Sequence, residues 1–104
     1  MRENRNHVRI PESAIFELTW TEHGQDLTVR VQTIDIATGG MKVLSPAPVP
    51  SIGEISFSKL HGELDGVARV RYISKTEGGY VVGLEFTPET VRNLFAYSSE
   101  PEEI

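Results

Sequence analysis

Residues 13–34 read SAIFELTWTEHGQDLTVRVQTI, and this stretch decides the fold. From 13 to 20, Ala14, Phe16, Leu18 and Trp20 share one face, while Ser13, Glu17 and Thr19 share the other. From 26 to 34, Leu27, Val29 and Val31 alternate with Thr28, Arg30 and Gln32. A period of two puts successive side chains on opposite faces, which is the pattern of a half-buried strand. Between the two runs lies Thr21-Glu22-His23-Gly24-Gln25, a polar loop with a glycine, so the stretch reads as a hairpin.

The same pattern continues outward from the hairpin. Residues 40–44 make a short strand, Gly40-Met41-Lys42-Val43-Leu44. Pro46, Pro48 and Pro50 then stand at every second position and cannot donate to a ladder, so residues 45–50 read as an extended loop. Residues 53–60 alternate through Ile55 and Phe57, and residues 66–74 set Ala68, Val70 and Tyr72 against Arg69 and Arg71. Gly78-Gly79 reads as a turn, and residues 80–86 place Tyr80, Val82, Leu84 and Phe86 on one face. The chain then changes period. Thr87 can cap a helix, Pro88 suits its first turn, and Glu89 favours the positive end of the dipole. Val91, Leu94 and Phe95 follow at helical spacing. Six short strands and one C-terminal α-helix predict an all-β domain, and at this size the sheet closes most easily as a barrel with the helix over an open end.

A length of 104 residues leaves room for one domain. With no cysteine there is no disulfide scaffold, thiolate metal site or cysteine nucleophile, which fits a reducing, cytoplasmic compartment. No apolar run approaches the ~18 residues of a membrane span, and the polar Met1-Arg2-Glu3-Asn4-Arg5 lacks the core of a signal peptide. The net charge of −5 is opposite in sign to that of a general DNA or RNA binder. The charge is also uneven. Arg2, Arg5 and Arg9 gather at the start, and Glu100, Glu102 and Glu103 at the end. A small basic cluster on an acidic body suits a small anionic ligand.

The sequence gives no reason to expect an enzyme. His7, His23 and His61 have no metal-ligand spacing, and His23 and His61 each precede a glycine, as turn residues do. No nucleophile elbow is present. Two segments are more informative. Arg5-Asn6-His7-Val8-Arg9 is an Arg-x-x-x-Arg, which by itself also reads as a solvated terminus. Asp35-Ile36-Ala37-Thr38-Gly39-Gly40, just after the second strand, by itself reads as a turn in which Asp accepts backbone hydrogen bonds and Gly supplies positive φ.

In this order, Arg-x-x-x-Arg, a strand hairpin and then Asp-x-Ser-x-x-Gly, the chain resembles the PilZ family of cyclic di-GMP receptors. Val82-Gly83-Leu84-Glu85-Phe86 is similar to that family's last strand. The resemblance covers roughly residues 2–97. It implies a six-stranded antiparallel β-barrel with a C-terminal helix, the architecture that the strand count reaches separately. It divides the chain into a flexible arm at 1–11, a barrel with its helix at 12–97 and an acidic tail at 98–104.

The resemblance also implies roles for individual residues. Arg5 and Arg9 would hold phosphate and guanine, since a guanidinium offers both a planar fork and a stacking face. They would lie on an arm that orders on binding. Asp35 would accept from the N1–H and N2–H of a guanine, and Gly40 would let the backbone turn and the ligand approach. Ala37 departs from the pattern, which has Ser there; one neutral hydrogen bond contributes ~0.5–1.5 kcal/mol, so affinity should fall without vanishing. Thr38 is adjacent and could substitute only if the turn reoriented it. Asn4, where some members carry a further base, favours one ligand per domain, although Arg2 could compensate. Arg71 reads either as a solvated strand charge or as a contact to a guanine. The leading expectation is a cytoplasmic second-messenger receptor with no cofactor and no metal, signalling through its arm to a protein partner in motility, exopolysaccharide production or biofilm formation. The alternative, favoured by Ala37, is an adaptor that has lost the ligand and binds only proteins.

Overall fold

The computed structural model describes residues 14–62 and 64–99, with side chains as far as residue 93. Six strands precede one helix: β1 Ile15–Glu22, β2 Gln25–Ala37, β3 Gly40–Ser45, β4 Glu54–Lys59, β5 Asp65–Thr76, β6 Gly79–Phe86 and α1 Pro88–Ser99. They form a closed barrel in the order β1-β2-β3-β6-β5-β4, with every neighbouring pair antiparallel. Pairing of β1 with β4 closes the ring, so none of these strands presents an unpaired edge.

The alternation read from the sequence builds the interior. Phe16, Leu18, Val31, Val43, Ile55 and Val82 are almost wholly buried. Phe57 packs edge-on against Phe16, with ring centroids 5.9 Å apart, and stacks on Phe86 at 5.2 Å. The first hairpin is tighter than a five-residue loop. Glu22 pairs with Gln25, and His23 and Gly24 both take positive φ, 53° and 78°. Two positive-φ residues match the twist of flanking strands, so the strands extend right up to the turn. His61 also has positive φ, 61°, and serves as a turn residue as expected.

Two β-bulges change the alternation, one between Thr33 and Asp35 in β2 and one between Val70 and Tyr72 in β5. An extra residue flips the phase of everything after it. Ile34 and Asp35 therefore both face outward before Ile36 turns in. In β5 the bulge corrects the sequence reading. Tyr72 does not share the inner face of Ala68 and Val70; it lies outside with Arg71 and is 46% exposed.

The two barrel ends differ. At the end where β6 finishes and β5 begins, the Thr87 hydroxyl caps α1 by accepting from Thr90 N at 3.3 Å. The Thr90 hydroxyl accepts from Val67 N at 3.0 Å and donates to Val67 O at 3.1 Å, fastening helix to strand. At the other end the proline-rich loop of residues 46–53 sends Val49 into the core. No described helix is long and apolar enough to cross a membrane.

Candidate functional site

Cross-strand register gathers most of the sequence-predicted residues on one outer face. One row runs Asp35, Lys42, Gly83, Tyr72 across β2, β3, β6 and β5. The next row runs Ala37, Gly40, Glu85, Arg69 across the same strands. The β2 bulge is what places Asp35 here. Had the inward phase of Val31 and Thr33 continued, its carboxylate would have pointed into an apolar core, at a large desolvation cost.

The Asp35–Gly40 segment is not the turn expected from sequence. Asp35, Ile36 and Ala37 belong to β2, and Ala37 pairs directly with Gly40. Only Thr38 and Gly39 make the turn, and Gly39 O accepts from Phe86 N at 2.9 Å, tying the hairpin to β6. Positive φ is not the reason for the glycine at 40 either, since Gly40 is absent from the positive-φ residues. A Cβ there would collide with the Leu84 carbonyl oxygen of β6. The close approach that demands glycine is between two strands.

Beside these rows lies an open groove of about 440 Å³, lined among others by Gly39, Lys42, Arg71, Tyr72, Gly83 and Glu85. That volume suits a small ligand. The Tyr72 ring lies over Gly83, where a Cβ would strike it. A bare glycine thus lets an aromatic face rest against the barrel wall and remain open to solvent. Arg71, at the β5 bulge, reaches across to β6, where its Nη1 is 3.2 Å from Glu85 Oε1. Arg69 Nε stands 3.7 Å from Glu54 Oε2 on its other side.

The groove and its flank therefore carry two cations, Lys42 and Arg71, and two carboxylates, Asp35 and Glu85. Their charges balance. Among the described residues no cluster of three His, Asp or Glu could hold a metal.

Asp35, Ala37, Gly40 and Arg71 are thus brought to one face and Thr38 to the turn that joins β2 and β3, whereas Arg2, Asn4, Arg5 and Arg9 lie outside the described residues. Sequence reasoning missed Lys42, Tyr72 and Glu85. Lys42 and Glu85 were within reach of the period-two rule, since Lys42 follows Gly40 by two and Glu85 alternates with Leu84 and Phe86. Tyr72 was not, because the bulge that turns it outward has no glycine to signal it.

The PilZ domain family's sequence profile matches residues 3–98, nearly the whole chain. Comparison with curated proteins finds no match.

Proposed function

Since the chain belongs to the PilZ domain family, we propose that it is a cyclic di-GMP receptor whose ligand lies in the outer groove beside Asp35, Gly40, Tyr72 and Arg71 and is completed by Arg5 and Arg9. The observation that carries this reading is that strand register sets the short segment of Asp35, Ala37 and Gly40 beside the groove that Arg71, distant in sequence, lines.

Cyclic di-GMP is a dianion with two guanines. The groove offers an exposed tyrosine face for stacking and a carboxylate that accepts from the guanine N1–H and N2–H. The balanced charge of the groove is insufficient for two phosphates, so further cations must come from elsewhere. The backbone at Ala14 supports the N-terminal arginines as their source. Ala14 O accepts from Thr33 N at 2.9 Å, one residue before the bulge that presents Asp35. Ala14, the first described residue, therefore lies at the Asp35 end of β2. Arg9 precedes Ala14 by five residues, which span at most ~17 Å when extended. Ligand capture by this segment would alter the surface offered to a protein partner, and so carry the signal toward motility or biofilm outputs.

A second reading, a protein-binding adaptor without ligand, is favoured by Ala37, which lacks the family's hydroxyl. Titration calorimetry separates the two. Cyclic di-GMP should bind the parent, and Arg5→Ala or Arg9→Ala should each cost ~2–5 kcal/mol, as when one member of a desolvated charge pair is removed. A parent that takes up no ligand would establish the adaptor reading, and parental affinity in both variants would remove the arginines from the site.

A further inference from the structure

Of the two cations lining the groove, Arg71 is already engaged, by a carboxylate that lines the same groove. We propose that Glu85 sets the ligand affinity of this groove by occupying Arg71 in the free protein, so that a phosphate or guanine edge has to exchange for the Glu85 carboxylate. This inference rests on the groove being the cyclic di-GMP site.

The geometry gives three reasons. First, the β5 bulge turns Arg71 and Tyr72 outward together, which puts the guanidinium in the same groove as the aromatic face that a purine would cover. A guanidinium there is well placed for a ligand, and what it holds is Glu85 at 3.2 Å. Second, the pair is exchangeable. The Arg71 and Glu85 side chains are 62% and 51% exposed, and pairs this open to water hold weakly. Third, Glu85 is bracketed. Its cross-strand neighbour is Arg69, which is itself only 3.7 Å from Glu54. The wall is thus an alternating ladder, Glu54, Arg69, Glu85, Arg71, in which a released Glu85 has a second cation beside it. A dianion entering the groove meets the Glu85 charge as a repulsion until that exchange takes place. Gln at 85 would keep the shape and remove both the competitor and the repulsion.

The test is a double-mutant cycle by titration calorimetry with cyclic di-GMP on the full chain, using the parent, Glu85→Gln, Arg71→Gln and the double variant. Thermal melts establish that each is folded. Glu85→Gln should bind roughly 2–5-fold more tightly than the parent, the worth of freeing one exposed ion pair. In the Arg71→Gln background the same substitution should give a smaller gain, because the competitor then has nothing to withhold and only the relieved repulsion is left. Unchanged or weaker binding by Glu85→Gln overturns the inference, and weaker binding would show the carboxylate touching the ligand itself. An equal gain in both backgrounds overturns it too, since Glu85 would then act only as a distant charge. A parent that binds no cyclic di-GMP overturns the reading of the groove and this inference together, whereas a binding parent with an unresponsive Glu85→Gln overturns this inference alone.

Discussion

Gly40 has no side chain because β6 leaves no space for one. A methyl at 40 would meet the Leu84 carbonyl oxygen, and two backbones held in register cannot part without losing ladder bonds. Gly40→Ala should therefore destabilise the fold by ~1–3 kcal/mol, the usual cost of overpacking, as read by urea denaturation without ligand. Parental stability would mean that the strands yield freely and that the glycine is there for the ligand alone. Position 37 makes the opposite case. Ala37 shares the outer face with Asp35 and is half-buried beside Gly40, so a hydroxyl there adds a donor at the groove's edge with little steric demand. Ala37→Ser should tighten cyclic di-GMP binding by up to ~10-fold, one neutral hydrogen bond at most, and unchanged affinity in calorimetry would place residue 37 out of contact. At this scale the site was legible as spacing, Asp35, Ala37 and Gly40 in one short segment. Its geometry was not, because a bulge at Ile34 and another at Arg71 decide which way Asp35 and Tyr72 face, and neither carries a glycine or proline to announce it.

The elements themselves followed from periodicity almost throughout. Strand length was understated where a turn proved tighter than its polar residues suggested, as at His23-Gly24, and where a motif taken for a loop, Asp35–Ala37, continued β2. The helix start was legible in Thr87-Pro88-Glu89, and its capping bond is present. How the helix is attached was not legible. Thr90 looks like an ordinary first-turn residue, yet it is buried and its hydroxyl serves both the Val67 N–H and the Val67 carbonyl. Gly66 next to it is bare, since a Cβ would collide with the Thr90 side chain. Thr90→Val keeps the shape and removes the hydroxyl, leaving the part-buried Val67 N–H without that partner. We expect a loss of ~1–3 kcal/mol, seen as a lower melting temperature. A melting temperature equal to the parent's would show that α1 is held by its apolar contacts and that the Thr90–Val67 bonds contribute nothing net.

Across the whole molecule, closure of the ring pairs every strand on both sides, so under the proposed function ligand should act mainly at the groove and at residues 4–10. Hydrogen exchange should reflect this. Cyclic di-GMP is expected to protect the amides of residues 4–10 while the barrel strands barely change. Fixing each residue opposes binding by ~1–2 kcal/mol, which the charge-assisted bonds to phosphate and guanine must exceed. Equal protection with and without ligand would mean that the segment does not respond and cannot carry a signal. The barrel also contains its own control. A second groove, lined by Trp20, Ile52 and Glu54, lies at the opposite end from α1, beside the loop of residues 46–53. The most direct measurement is therefore an NMR titration of the 15N-labelled chain with cyclic di-GMP, which reads ligand and location together. The account predicts saturable shifts at Asp35, Ala37, Gly40, Lys42, Tyr72 and Gly83 and none around Trp20 and Ile52. A spectrum that does not change, or shifts centred on Trp20, Ile52 and Glu54, would contradict it.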